Sequence, residues 1–282
     1  MDIVNKDSKT YIQSGKAQMS ISPELGSELL SQGMNILFQI QGPMNIETAS
    51  CMSKLGSIHL KYGDFTQAIN LQSRAALIFR ELLGEVHPQV AFSYTSLAMY
   101  YHSVGNFEKA FNLMYRALAI LELVCGQDHP DIAQIYVNMG HMYAEIGQLQ
   151  ACEDSYLKAL YRYIEMFNEN HLQVALVYQF LGSAKSSGNF RKALEYQEQC
   201  HKILEVVFAD KQDHPILANS KLRIQQLTQL SVEQEKQKNN SGREVGSNSV
   251  GKMMHAMNQN LIQLPEIKAR LEGKKDEAKS KE

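Results

Sequence analysis

Four histidines recur at a nearly constant interval, and histidine is the commonest metal-ligand side chain. His87, His129, His171 and His214 are 42, 42 and 43 residues apart, each within a short turn-like string such as GEVHP or GQDHP. Equivalent residues of stacked repeats lie roughly 10 Å apart, whereas a metal–ligand bond measures about 2 Å, so these side chains cannot share one ion. The spacing therefore indicates a structural repeat with a histidine in its turn, and it predicts no metal or cofactor site.

Other columns of residues keep the same period. Glycines recur at 63, 105, 147 and 188, and small residues recur at Ala68, Ala110, Cys152 and Ala193 and again at Ala75, Ala117, Ala159 and Cys200. Between them, apolar residues follow three- and four-residue steps, which indicate amphipathic helices. Gly105-Asn106 pairs a helix stop with a capping residue, and Asp128 is the expected cap of the helix that starts at Pro130. Each period thus predicts helix A, a tight turn, helix B and a second turn, which is the tetratricopeptide arrangement.

The predicted fold is an all-α tetratricopeptide-repeat superhelical solenoid of about four full 42-residue repeats plus flanking half repeats. Its A and B helices are expected at 46–62 and 64–83, 87–104 and 106–125, 129–146 and 148–167, and 171–187 and 189–209. A B-like helix over 23–40 precedes them and a last A-like helix over 214–232 follows. Residues 1–22 are predicted as a flexible segment, 23–232 as the solenoid, 233–251 as a Gly-, Ser- and Asn-rich linker, and 252–282 as a short helix and charged tail.

Composition and motifs exclude several functional classes. The net charge is −2, the four cysteines form no CxxC pair, and no run of apolar residues reaches the length of a membrane span. The N-terminal sequence lacks the apolar core of a signal peptide, so we expect a cytoplasmic protein without membrane insertion. No nucleophile elbow, Walker loop, GxGxxG or HExxH string occurs. The sequence therefore predicts neither an enzyme nor a small-molecule substrate.

The unit Gly-x-x-His-Pro-x-x-Ala, followed by Leu-Ala-x-x-Tyr, Gly-x-Phe-x-x-Ala and Arg-Ala-Leu, resembles the 42-residue repeat of kinesin light chains and of the clustered mitochondria protein family. The second resemblance is closer: residues 42–47, 61–65 and 72–75 are similar to the entry of that family's repeat region, and residues 113–143 to its central repeats. It implies a cytoplasmic scaffold that acts in the intracellular distribution of mitochondria and associates with messenger RNAs for mitochondrial proteins. A kinesin-light-chain-like cargo adaptor and a direct RNA-binding protein are the alternatives.

The candidate binding surface is the concave groove lined by the A helices, which is expected to hold a protein or an extended peptide. Its candidate residues are Thr95, Met99, His102, Val137, Asn138, His141, Gln179 and Ser183. The full row of groove-facing positions also includes Lys61 of the first repeat and is otherwise mostly neutral, which favours recognition through amides and apolar pockets. Asn138 is the leading candidate because its amide both donates and accepts; the alternative is that it only joins neighbouring helices. Residues 21–232 hold 15 Lys and Arg against 20 Asp and Glu, so we expect RNA contacts to be indirect.

Overall fold

The computed structural model describes residues 2–18, 21–186, 188–209 and 214–239, and all regular structure in these ranges is α-helical. The described helices are α1 (Asp2–Gln18), α2 (Pro23–Gln41), α3 (Ile46–Lys61), α4 (Phe65–Leu83), α5 (Pro88–Ser103), α6 (Phe107–Cys125), α7 (Pro130–Glu145), α8 (Leu149–Phe167), α9 (Leu172–Lys185), α10 (Phe190–Val207) and α11 (Pro215–Asn239). The chain divides into two compact units, residues 1–166 and 167–282.

The predicted repeat helices are confirmed, because the bounds of α3 to α10 agree with the expected A and B helices to within two residues. The last helix, α11, continues to Asn239 and so includes the start of the segment predicted as a linker. The short helix predicted between Met253 and Leu264, and the charged tail after it, lie outside the described residues. Among the described helices, none combines the length and the apolar character needed to cross a bilayer.

The N-terminal segment differs from the sequence prediction. Residues 1–22 were expected to be flexible, whereas residues 2–18 form helix α1. Ile12 of α1 is buried and packs in one cluster with Leu30 and Leu37 of α2 and with Cys51 and Leu55 of α3. The close helix contact and the buried Ile12 stabilise α1 although most of its surface is polar. The predicted half repeat is therefore a complete pair, α1 and α2.

The periodic histidines begin the A helices. In each case Nδ1 of the side chain accepts a hydrogen bond from the backbone N–H two residues later, over distances of 3.1 to 3.3 Å at His87, His129, His171 and His214. An accepting Nδ1 places the proton of the neutral ring on Nε2. Asp128, the expected cap, instead pairs with Arg162 at 3.2 Å. Histidine therefore takes the role usually filled by Ser, Thr, Asp or Asn at a helix start.

The turns between A and B helices follow the glycine and cap chemistry that the sequence predicts. Gly105 has φ of 75°, a left-handed conformation that glycine adopts without steric cost. The side chain of Asn106 then accepts from the backbone N–H of Lys109 at 3.2 Å and caps α6. This tight connection returns α6 antiparallel against α5, so that Ala98 and Ala117 are both fully buried in the same cluster.

Small residues set the distance between paired helices. A Cβ atom at Gly140 of α7 would lie within 2.9 Å of three ring carbons of Tyr156 on α8. The aromatic ring therefore occupies the space that a side chain at residue 140 would need. In the second unit, Gly182 of α9 approaches the backbone oxygen of Ala193 on α10 in a similar way, with 3.2 Å to a built Cβ. Ala193 belongs to one of the columns of small residues that reveal the repeat, and its close contact with Gly182 explains why that position is small.

Candidate peptide-binding face

The candidate residues of the first unit lie on two A helices. Thr95, Met99 and His102 belong to α5, and Val137, Asn138 and His141 belong to α7. All of them except Val137 are half-buried, whereas Val137 is 5% exposed and belongs to the core. We call the half-buried set, together with its neighbour Glu145, the A face of the first unit.

The three candidates on α5 differ in the contacts that they already make. The Thr95 hydroxyl donates to the backbone oxygen of Ala91 at 3.0 Å, which leaves its lone pairs free to accept. Met99 packs partly against the core cluster around α5 to α7. His102 stacks edge-on against Phe107, with ring centroids 5.6 Å apart, and this contact fixes the plane of its ring.

His102 also joins the two A helices. Its Nε2 lies 2.9 Å from a carboxylate oxygen of Glu145 on α7, and the histidine side chain is 13% exposed whereas that of Glu145 is 54% exposed. The two side chains attract each other as an ion pair when the ring is protonated, although Nε2 does not have hydrogen-bond geometry toward the carboxylate. The contact therefore connects consecutive repeats across the A face.

His141 lies beside this ion pair and is held by the neighbouring helix α8. Its Nδ1 is 2.9 Å from the hydroxyl oxygen of Tyr156, and the two rings meet edge to face with centroids 5.5 Å apart. Burial lowers the pKa of His141 to about 4, with a further contribution from the charge of His102. His141 is therefore neutral near pH 7 and acts on the A face as a polar, uncharged side chain.

In the Asn138 side chain, the amide oxygen has a hydrogen-bond partner and the amide nitrogen has none among the described residues. Its Oδ1 accepts from Nε2 of Gln134 one turn earlier on α7, at 3.2 Å. The described residues provide no hydrogen-bond partner for its amide nitrogen, and the side chain is half-buried. The Gln134 contact fixes the orientation of the amide, so that its nitrogen can donate to an incoming group.

The remaining two candidates belong to the second unit. Gln179 is 9% exposed and therefore packs inside that unit, so little of its side chain is available as a lining residue. The Ser183 hydroxyl donates to the backbone oxygen of Gln179 at 2.9 Å and accepts from Arg223 of α11 at 2.5 Å. Arg223 is 5% exposed, and its burial lowers its pKa to about 10. Ser183 is thus engaged with its own repeat and with α11.

The sequence analysis missed two cationic residues of the A helices. Because 1–22 was predicted to be flexible, Lys9 and Lys16 of α1 were not considered, and the lining was described as having one lysine. Lys54 of α3 is half-buried and close enough to Lys16 for their charges to interact. The signal that could have revealed α1 is Gly15, which precedes Gly56 by 41 residues and, like it, allows close packing on the following helix.

The described residues contain no group of three or more His, Cys, Asp or Glu side chains placed to hold a metal ion. Three of the four cysteines are buried, and Cys125 is half-buried. Burial raises the pKa of Cys51 to about 11 and that of Cys200 to about 12, so these thiols stay protonated and weakly nucleophilic near pH 7. The thiol chemistry of the described residues is therefore that of packed side chains.

Comparison with protein families identifies the repeat. A tetratricopeptide repeat model matches residues 45–122 and 131–205, which is more than half of the chain. The chain belongs to the tetratricopeptide repeat family. These two ranges lie within α3–α6 and α7–α10 and their turns, so the match includes helices of both units.

Two groups of similar proteins were found. The clustered mitochondria protein homologs of Homo sapiens and Danio rerio are 31% and 30% identical over 83 residues, which is 29% of this chain and 6% of each relative. The chain therefore aligns with a small part of those proteins. Two crystal structures share the fold. A putative kinesin light chain with nearly identical repeats from Podosopora anserina is 20% identical, with a TM-score of 0.56 over 73% of this chain and 95% of that one. BtubC from P. vanneervenii is 17% identical, with a TM-score of 0.55 over 76% of this chain and 93% of that one.

Proposed function

We propose that the A face of the first unit binds an extended segment of a partner protein, and that the chain acts as a scaffold rather than as a catalyst. The observation that carries this proposal is the half-buried Asn138 amide, fixed on one side by Gln134 and open on the other. An amide in this position can donate to the backbone carbonyl of a strand-like segment whatever the side chains of that segment are.

The neighbouring side chains support the same mode of binding. The His102–Glu145 contact and the Tyr156–His141 contact hold the surrounding polar groups in place before any partner arrives. Preordered side chains lose less conformational entropy on binding, which favours affinity for a flexible peptide. Met99 adds a flexible apolar contact between these polar groups, and thioether side chains adapt to differently shaped ligands.

We further propose that the partners belong to the machinery that distributes mitochondria in the cytoplasm. The support is the sequence similarity to clustered mitochondria protein homologs, which extends over 83 residues. In this proposal any association with messenger ribonucleoprotein is made through bound proteins, in keeping with the net charge of −2.

The first experiment compares the full chain with two asparagine variants. Asn138→Ala removes the open amide, and Asn112→Ala is the matched control because Asn112 is exposed on the B-type helix α6. Each is used for affinity purification from cytosolic extract, with and without RNase, and the recovered proteins are quantified. We expect Asn138→Ala to reduce capture of a defined set of proteins about tenfold, with or without RNase, while Asn112→Ala retains it. Equal capture by the two variants, or loss of the set on RNase treatment, would contradict binding of proteins at the A face.

The second experiment tests the cellular role. Cells depleted of this protein should lose the even distribution of their mitochondria. The wild-type chain and Asn112→Ala should restore it, whereas Asn138→Ala should not. An unchanged mitochondrial distribution after depletion would refute the mitochondrial part of the proposal and would leave peptide binding at the A face to the purification experiment.

A further inference from the structure

Three B helices of the first unit carry a cation directly before a fully buried alanine. The pairs are Arg74-Ala75 in α4, Arg116-Ala117 in α6 and Lys158-Ala159 in α8. Each alanine is 0% exposed, whereas each cation is exposed. Close packing of helices explains the column of alanines, but it places no requirement on the charge of an exposed neighbour. Packing therefore does not explain why the cation repeats.

These cations are not held by acidic side chains of the chain. The neighbouring Arg80 of α4 does pair with Glu81, at 2.9 Å. By contrast, the described residues form no ion pair with Arg74, Arg116 or Lys158. An anionic group brought to this row would therefore replace water, and it would not have to displace an internal carboxylate.

An exposed row of mainly apolar residues lies beside the cations. Three residues after each cation come Leu77, Ala119 and Tyr161, and residues three apart on a helix lie on the same face. Leu77 is 47% exposed and Tyr161 is 62% exposed, and Ala119 is exposed as well. Large apolar side chains exposed in a row are typical of a binding surface. We call the cation row and this apolar row together the B face of the first unit.

The three helices are neighbours, so that their equivalent residues form continuous rows. Ile120 of α6 packs against the cluster that contains Phe79 of α4. Arg162 of α8 pairs at 3.2 Å with Asp128, which follows the end of α6. Equivalent residues of stacked repeats lie roughly 10 Å apart. An α-helix rises 1.5 Å per residue, so seven residues span about the same distance.

We propose that the B face binds an amphipathic helix of a partner protein, which lies along the two rows. Its apolar stripe covers Leu77, Ala119 and Tyr161, and Asp or Glu side chains at intervals of seven residues reach the three cations. This inference goes beyond the proposed function, because it assigns a second surface on other helices to a different kind of ligand. It does not depend on binding at the A face.

The charges around the B face favour a helix over a nucleic acid. Glu81 and Glu165 are exposed on the far side of the apolar row, and Asp154 is exposed one turn before Lys158. These carboxylates would repel a phosphate backbone that follows the cations, because every nucleotide carries a negative charge. An amphipathic helix can place acidic residues over the cation row and neutral or basic residues over Glu81 and Glu165.

The test measures binding of labelled probes to the full chain by fluorescence anisotropy. The acidic probe consists of three heptads of Leu-Ala-Gln-Ala-Glu-Ala-Gln with blocked termini, and the neutral probe has Gln in place of Glu. A third probe has the composition of the acidic one, but its glutamates are five residues apart and so point to different sides of the helix. A uridine decamer is the nucleic acid probe.

The cation row is tested with Arg74→Gln/Arg116→Gln. The matched control is Lys192→Gln/Lys202→Gln, since both of its lysines are exposed on α10. We expect the acidic probe to bind the wild type and the control alike, and the arginine variant about tenfold more weakly. The neutral probe should bind all three proteins equally, and the third probe should bind the wild type no better than the neutral one.

The apolar row is tested with Leu77→Gln/Tyr161→Gln, which should weaken the acidic and the neutral probe by the same factor. All these side chains are exposed, so the variants should melt like the wild type. Asn138→Ala should bind the acidic probe like the wild type, which separates the B face from the proposed function. If Asn138→Ala lost partner capture while the arginine variant kept full affinity for the acidic probe, the A face would stand and the B face would fail.

Three results would overturn the proposal. The first is equal affinity of the acidic probe for the wild type and for either B-face variant. The second is binding of the uridine decamer that is tighter than that of the acidic probe and depends on Arg74 and Arg116. The third is a dimer in analytical ultracentrifugation that the same substitutions dissociate, because a second copy of the chain would then cover the B face.

Discussion

The contact between Gly140 and Tyr156 predicts a substitution whose effect changes sign with its partner. Gly140→Ala would place a methyl group within 2.9 Å of three carbons of the tyrosine ring, well inside van der Waals contact. Tyr156 is 3% exposed and its hydroxyl lies 2.9 Å from Nδ1 of His141, so the ring cannot move without losing that hydrogen bond. We therefore expect Gly140→Ala to destabilise the first unit although alanine favours helices.

The magnitude follows from three contributions. Overpacking costs about 1–3 kcal/mol and loss of the hydrogen bond about 1 kcal/mol, whereas replacing a helical glycine by alanine gains about 1 kcal/mol. The net loss in the free energy of unfolding is about 2 kcal/mol, which corresponds to a fall of about 4–8 °C in melting temperature for a domain of this size. Thermal and urea unfolding, followed by circular dichroism at 222 nm, measure both quantities.

The chain contains its own matched control. One repeat earlier, Ala98 and Met114 occupy the positions of Gly140 and Tyr156, and both are fully buried in one cluster. In the Tyr156→Met background, Gly140→Ala should therefore no longer destabilise the first unit, because the ring that it would meet is absent. The difference between the effects of Gly140→Ala in the two backgrounds, which is the coupling energy, should be at least about 1 kcal/mol. A melting temperature of Gly140→Ala equal to or above that of the wild type, or a coupling energy near zero, would refute the proposed clash.

Substitutions at three further positions test the helix cap at His129, the titration of His141 and the packing of the core at Ala117. His129→Ala should lower the free energy of unfolding by about 1 kcal/mol, whereas His129→Asn should keep most of it, as read from urea midpoints. Because burial lowers the pKa of His141 from 6.5 to about 4, the unfolded chain binds its proton first, and stability should fall by up to about 3 kcal/mol as the pH drops between these values. His141→Met should flatten that dependence; an identical profile would contradict it. Ala117→Arg should unfold the first unit, since Ala117 is 0% exposed, and an unchanged melt would refute this.

The fold could be predicted because its periodic residues are those that face a neighbouring helix. Ala75, Ala117 and Ala159 recur because two helices approach closely there, and all three are fully buried. The role of the turn histidines was only partly predictable. Their period indicated a turn, but capping was expected from Asp128 because carboxylates are commoner caps than imidazole rings.

Helix α1 could not be recognised because its sequence is dominated by polar residues. Among residues 7–18, whose side chains the structure describes, Ile12 is the one large apolar residue that is buried, and Ser8 and Gly15, which carry little hydrophobic signal, make the other close contacts. The helix is stabilised by packing against α2 and α3 rather than by its own propensity. Its contribution to the candidate site, two lysines, was therefore missed together with the helix.

The helices that carry the A face could be predicted from the sequence, whereas the types of side chain on it follow no repeat. Residues that pack between helices are restricted in size, so their column repeats. The A-face position that follows Gly15, Gly56, Ala98 and Gly140 holds Lys16, Ser57, Met99 and His141 in successive repeats. These side chains are exposed or half-buried, so their size and polarity are less restricted than those of the buried column. This row changes from a cation in α1 to neutral side chains in α5 and α7, where His141 is held uncharged by burial. A bound peptide would therefore meet different electrostatic conditions at its two ends, which gives it a preferred direction even though the backbone of the repeat is the same throughout.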